Sequence, residues 1–262
     1  MVRKEVKIML LVIDVGNTHT AIGVFADDKI SGHWRISTNF KKTEDEFAML
    51  CKSLLAEKGL GYNDIKGIAI SCVVPPLVWI LVKMSKVYFN LQPIVVNSDI
   101  KLNINIKTDY PEEVGADRIV NAVAASSIYK VPSIIIDYGT ATTFCALDKD
   151  KNYLGGAIAP GIELSSNALF ERTAKLPEVE LINPGHAIGK NTIQAIQSGI
   201  VLGHLGLTRE LVGRFKEELK GKPKVIATGG LAELIASSCP IIDKVDPLLT
   251  LRGLSIVYNL NS

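Results

Sequence analysis

The chain has 262 residues, 47% of them hydrophobic and 21% charged, which is enough to bury a core in two packed units and too apolar for a disordered or collagen-like chain. Twenty-nine Lys and Arg against 27 Asp and Glu leave a formal charge of +2, which excludes a general nucleic-acid binder, so any anion site must be built locally. Four cysteines, Cys51, Cys72, Cys145 and Cys239, form no C-x-x-C pair and have no clustered histidines, so they read as buried apolar fillers and not as zinc ligands.

The opening residues put a basic head before an apolar run that ends at Ile13, too short for the core of a signal peptide, and a cytoplasmic protein is expected. The strand after it belongs to a repeat. LVIDVGNT at 11–18 matches IIIDYGTA at 134–141, with Asp14 and Asp137 in register, and a second apolar run follows each copy as a hairpin requires. After the first copy the pattern predicts a third strand over 30–36 and a helix to about 58, opened by the capping-box pair Thr43 and Glu46. A buried strand over 65–74 and a helix over 77–88 come next; Pro75 and Pro76 break this apolar stretch, so no membrane span is expected. A short strand over 93–96 ends the first half.

Residues 97–110 read as a polar linker, and Pro111, with Glu112 and Glu113 in the first turn, predicts a helix to about residue 129. After the second copy come a third strand over 152–159, a helix over 163–172 and a long helical stretch over 191–219. Alternating strands and helices over 224–227, 231–236, 241–245 and 247–258 complete two α/β lobes with mixed sheets.

The repeated turn carries chemistry. A strand entering Asp14-Val-Gly-Asn-Thr18 exposes backbone N–H groups which, with the hydroxyls of Thr18 and Thr20, can hold phosphate oxygens, while Asp14 orients Mg²⁺ or its waters. One such motif is equally an ordinary hairpin turn. Two of them, facing across a cleft, can grip a phosphate chain from both sides. ATGG at 227–230 lies between a strand and a helix, as a backbone that approaches a base or ribose closely would. No G-x-x-x-x-G-K-[ST] occurs. Asp117 and Arg118 are adjacent in a helix, so they project about 100° apart and can serve separate tasks.

In order, the two Asp-Gly turns and the late Thr-Gly-Gly resemble the motifs of the acetate and sugar kinase, chaperone ATPase and actin superfamily. IDVGNTHTA at 13–21, EVGADRIVNA at 113–122, DYGTATT at 137–143, GGAIAPGIELSSNALFERTAKLP at 155–177 and GKNTIQAIQSG at 189–199 narrow this to a resemblance to type III pantothenate kinase that runs from Met9 onward. The resemblance implies an α/β protein of two ribonuclease H-like lobes, a duplicated actin-like ATPase fold with a cleft between them, divided as residues 1–110 and 111–262. It implies transfer of the ATP γ-phosphoryl group to the primary hydroxyl of pantothenate, the first step of coenzyme A synthesis. By that similarity Asp14, Val15, Gly16, Asn17, Thr18, His19, Thr20 and Ala21 cradle ATP together with Thr140. Gly115, Ala116, Asp117 and Arg118 contact pantothenate, and so does Thr192. Asp117 is then the proton acceptor and Asp137 the ligand of an activating K⁺ or NH₄⁺, with Mg²⁺ on the phosphates. A homodimer with shared active sites, Thr192 reaching pantothenate from the neighbouring subunit, is also implied.

The alternative is a non-catalytic nucleotide-dependent regulator on the same fold, but no basic recognition helix supports it and Asp117 speaks for catalysis. Family members often carry a tyrosine a few residues before the Gly-Ala-Asp-Arg stretch, where this chain has Thr108, with Tyr110 two residues on. Residues 1–8 read as an extension without functional weight. His33, His186 and His204 lack metal spacing and read as surface or satisfied core histidines. Asn191 and Thr192 are equally good helix caps, and Lys190 is open between a phosphate contact and a solvated charge.

Overall fold

The computed structural model describes residues 8–262, so the extension, apart from the exposed Ile8, lies outside the described residues. β1 (Met9–Val15) is apolar nearly throughout because consecutive residues, and so both of its faces, are buried, and it pairs antiparallel with β2 (His19–Ala26) and parallel with β4 (Ile65–Cys72). β3 (Lys29–Ser37) alternates in exposure, as a strand with one wet face does. With the short β5 (Ile94–Val95) the sheet runs β3-β2-β1-β4-β5.

Two helices cover this sheet. α1 (Glu44–Ala56) starts at the expected capping box: Thr43 N–H donates to Glu46 Oε2 at 2.7 Å and Glu46 N–H to Thr43 Oγ1 at 3.3 Å. α2 (Pro75–Phe89) has proline at its first position and ends on Asn90 in the left-handed conformation. Phe47, Cys51 and Leu55 of α1 and Leu77, Leu81 and Met84 of α2 pack on Leu11, Ile13, Ile68 and Ile70 of the strands.

The second sheet repeats the first. β7 (Ser133–Tyr138), β8 (Ala141–Leu147), β9 (Asn152–Pro160), β10 (Lys224–Thr228) and β11 (Lys244–Val245) stand in the order β11-β10-β7-β8-β9, the same arrangement of first to fifth strands. Its central strand β7 is likewise antiparallel to its hairpin partner and parallel to the fourth strand. The duplication in the sequence is thus a duplication of topology. One extra edge strand, β6 (Asn105–Ile106), pairs with β9, so the stretch read as a linker carries a strand. α4 (Ile162–Glu171), α5 (Thr192–Gln197), α6 (Gly203–Leu219) and α7 (Ala232–Ala236) accompany this sheet, and the stretch expected to be helical over 191–219 is so, with a π turn at Ser198–Leu202 between α5 and α6.

The compact units are interleaved along the chain. One comprises residues up to 103, 110–124 and 250–262, and the other 104–109 and 125–249. No single crossing at residue 110 describes this. α3 (Ala116–Ile128) starts in the first unit, and α8 (Leu249–Asn261) returns to it. There the Thr250 hydroxyl donates to Asn121 Oδ1 of α3 at 2.8 Å, and the Tyr258 ring occupies the space that a side chain at Gly67 would need. Among the described residues no helix is long and apolar enough to cross a membrane.

Candidate active site

In the first unit the site grows from the end of β1. Asp14 is half-buried, and the chain turns through Gly16 and Asn17 into β2, with the Gly16 N–H donating to His19 O at 2.9 Å. Thr18 and Asn17 are exposed and Thr20 is fully buried. β4 ends beside this turn. Ser71 is the register partner of Asp14 and Cys72 that of Val15, and the Val73 N–H donates to Val15 O at 3.0 Å. The next neighbour is Gly115: a Cβ there would lie 3.8 Å from Val73 Cγ1. The first Asp-Gly turn, the end of β4 and the start of α3 therefore meet within one unit.

The start of α3 departs from expectation. Pro111–Glu113 forms a separate 3-10 turn, the chain extends at Val114, and the helix begins afresh at Ala116, where Arg118 N–H and Ile119 N–H both donate to Gly115 O at 3.0 and 3.1 Å. Three acids would otherwise share one helix; the break leaves Asp117 alone in the first turn of α3. Asp117 Oδ1 accepts the Arg118 N–H at 2.8 Å. Burial pushes its carboxyl above the ordinary 3.8, against the smaller opposing pull of that N–H and of the Arg118 charge. A carboxylate with raised basicity is what a proton acceptor needs.

In the second unit the corresponding turn follows β7. Asp137 has Thr143 and Thr228 as register partners, Gly139 N–H donates to Ala141 O at 3.2 Å, and Thr140 is exposed. The Gly161 N–H donates to Thr140 O at 3.2 Å where α4 begins. ATGG turns directly over this site: Gly229 has φ +93°, and a Cβ on it would fall 2.5 Å from Asp137 Oδ1. The glycine expected to let a backbone approach a ligand closely thus lets it approach the second Asp-Gly turn.

Thr192 is exposed at the first position of α5, in the second unit, while Asp117 is in the first. Asn191 caps that helix, accepting the Gln194 N–H at 2.9 Å, so the Thr192 hydroxyl is not needed as the cap. Tyr110 is 62% exposed, and Thr108 is half-buried with its Oγ1 buried. His204 is a satisfied core histidine, Nδ1 lying 2.8 Å from Ile200 O, and His33 and His186 are exposed. Three of the cysteines are buried, and burial pushes the Cys51 thiol up to about 12; Cys72 is the half-buried exception. Among the described residues no group of three or more His, Cys, Asp or Glu could hold a metal ion. Mg²⁺ needs one or two carboxylates and completes its shell with phosphate and water, and the first turn offers the Asp14 carboxylate. Ser71, Val73 and the neighbouring Thr38 were not found by sequence reasoning: no local motif marks them, and only strand register brings them to the turn.

The same architecture occurs in solved structures. A Campylobacter jejuni protein described as a conserved Baf family transcriptional activator is 20% identical, with TM-score 0.57 over 96% of this chain and 97% of that one. Component A of the (R)-2-hydroxyglutaryl-CoA dehydratase of Acidaminococcus fermentans is 12% identical, with TM-score 0.53 and 96% of both chains covered. The ROK hexokinase of Thermus thermophilus is 13% identical, with TM-score 0.52 over 97% of this chain and 99% of that one. At these identities the likeness is one of fold. Two sheets sharing the order of their five core strands, each with an Asp-Gly hairpin on its central strand, have the fold of the actin-like ATPase and sugar kinase class, and the family match makes the chain an ATP-dependent kinase. The chain belongs to the type III pantothenate kinase family, whose model matches residues 10–214. Its reaction is therefore transfer of the ATP γ-phosphoryl group to pantothenate, giving 4'-phosphopantothenate.

Proposed function

We propose that Asp117 accepts the proton of the pantothenate hydroxyl, at a site formed by Gly115, Ala116 and Arg118 beside the ATP-binding residues 14–21. The observation that carries this is the half-buried Asp117 carboxyl two residues beyond Gly115, which adjoins Val73 and through it Val15. As the hydroxyl oxygen forms its bond to the γ-phosphorus, its proton passes to an Asp117 oxygen and the bond to the ADP oxygen breaks. Arg118 offers a cation to the substrate carboxylate. Backbone N–H groups of the first turn and the Thr18 hydroxyl bind phosphate oxygens, with Asp14 holding Mg²⁺ or its waters, and Thr140 adds a hydroxyl from the second turn. Mg²⁺ supplies neutralisation of the phosphate charge. Phosphoryl transfer needs positioning and charge compensation more than covalent help, which this set provides.

Asp137 is the residue that would hold a K⁺ ion. Its carboxylate ends a strand beside two threonines, and Gly229 keeps the space next to Oδ1 clear of a side chain. A monovalent cation there offsets repulsion between carboxylate and phosphate. Turnover is expected to rise with K⁺ or NH₄⁺ and fall in Na⁺ buffer at matched ionic strength, with Asp137→Asn blunting the response. Equal rates in Na⁺ and K⁺ count against this assignment.

The functional unit is a homodimer in which Thr192 serves the neighbouring subunit's site. In support, Thr192 is exposed at the start of α5, and its neighbours Ile188 and Ile193 are exposed apolar side chains that a second subunit would cover. Gly199, Gly203 and Gly206, spaced along one side of α5 to α6, also pack against nothing in their own chain and permit close approach of a second backbone. Asp117→Asn and Thr192→Val chains, each weak alone, are to be unfolded and refolded together. Random pairing makes half the dimers mixed, each with one doubly altered and one native site, so about a quarter of all sites should recover. No recovery in demonstrably mixed dimers places both residues in one chain's site.

A further inference from the structure

β3 reaches the first turn through residues that none of the motifs include. The Thr38 N–H donates to Thr18 O at 2.9 Å, and the Thr38 hydroxyl donates to Gly16 O at 2.8 Å. That hydroxyl also lies 2.9 Å from the Thr20 hydroxyl. Carbonyl oxygens only accept, so the single hydroxyl proton of Thr38 goes to Gly16, and Thr20 must be the donor in the second pair. The hydroxyls form a one-way chain from Thr20 through Thr38 to the Gly16 carbonyl. Three residues upstream on β3, Arg35 Nη2 lies 2.8 Å from His19 Nδ1, a second tie between β3 and this turn.

This chain fixes a peptide plane. In a trans peptide the C=O and the following N–H point in opposite directions, so holding the Gly16 carbonyl toward Thr38 turns the Asn17 N–H away from it. Among the described residues that N–H donates to no protein group, although Gly16 N–H is used by His19 O. Thr20 is fully buried and its proton is engaged by Thr38, so what its oxygen has left is lone pairs, which repel a phosphate.

We infer that Thr38 is a positioning residue of the ATP site: with Thr20 as its own hydrogen-bond donor, it holds the Gly16–Asn17 peptide so that the Asn17 N–H donates to a phosphate oxygen. Thr20 then acts through Thr38, and not on the phosphate as the motif alone suggests. The inference rests on the reading that the first turn takes the phosphates of ATP.

The test is calorimetric titration of the full chain, as wild type, Thr38→Val, Thr38→Ser and Asp14→Asn, with ADP plus Mg²⁺ and separately with adenosine. Thr38→Val should weaken ADP about tenfold, roughly what a hydrogen bond to a charged group contributes, with adenosine unchanged. Thr38→Ser, which keeps the hydroxyl, should bind ADP as wild type does. Wild-type ADP affinity in Thr38→Val, or equal loss of ADP and adenosine in both Thr38 variants, overturns the inference. If Asp14→Asn also leaves ADP untouched, the phosphate reading of the turn falls with it; if Asp14→Asn weakens ADP and Thr38→Val does not, only the role of Thr38 falls. Should Thr38→Val not fold, the Asn17 amide resonance of the wild type decides: it should shift with ADP and not with adenosine, and a resonance unmoved by ADP overturns the inference.

Discussion

Asp117→Asn should lower kcat by about 10²–10⁴, the usual worth of a positioned general base, while the affinity for ATP stays close to that of the wild type. The amide keeps the shape of the carboxyl but cannot take up the hydroxyl proton. The same substitution should stabilise the fold at neutral pH. Because burial holds the Asp117 carboxyl above 3.8, the native state binds more protons than the unfolded state as pH rises past that value, so stability is lost over the window between the unfolded and the raised folded pKa. Above that window the penalty is constant, and asparagine does not carry it. Thermal melts should show the variant ahead of the wild type at pH 7, with the gap closing below pH 3.8. Wild-type turnover contradicts the assigned role of this residue, and a variant no more stable than the wild type at pH 7 contradicts its assigned environment.

Gly229→Ala should damage the second Asp-Gly turn directly. A φ of +93° strains any residue with a Cβ, and the added carbon would stand 2.5 Å from Asp137 Oδ1 and 2.6 Å from Tyr138 O. Tyr138 cannot yield easily, since its ring is buried and its hydroxyl is 2.8 Å from that of Thr208. The Asp137 carboxylate must therefore move, and a displacement of about 1 Å at a reacting centre is enough for a loss of about 10²-fold in rate. Backbone strain should cost about 1–3 kcal/mol of stability as well. Steady-state kinetics over a K⁺ titration would record the rate loss together with a higher half-activating concentration, and an unchanged K⁺ response would separate Gly229 from the cation site.

Features written in adjacent residues were legible from the sequence. The Asp-Gly hairpins needed only an apolar run, a turn and a second run, and the Thr43 cap needed only Glu46 three residues on. Two-fold occurrence of the hairpin then gave away the equal strand order of the two sheets. Features that depend on distant partners were not legible. β6 is two residues long and exists because Asn105 and Ile106 pair with Asn152 and Tyr153, nothing in its own composition marking it as a strand. α8 was placed with the second half by sequence order, but Tyr258 and Thr250 find their partners at Gly67 and Asn121. Pro111 with two acids imitates a helix start, and Gly115 supplies the real one four residues later. Thr38 was invisible for the same reason: its proximity to Gly16 follows from the pairing of β2 with β3 and from no motif.

On the proposed function, pantothenate is phosphorylated at the site around Asp14, Gly115 and Asp117. The most direct measurement follows ADP release by the purified chain with ATP, Mg²⁺ and K⁺ against a panel of small alcohols and sugars that includes pantothenate. ADP should appear with pantothenate, matched mole for mole by a phosphomonoester on its primary hydroxyl, and stay at background with the other alcohols. Release with a sugar, and none with pantothenate, would contradict the account.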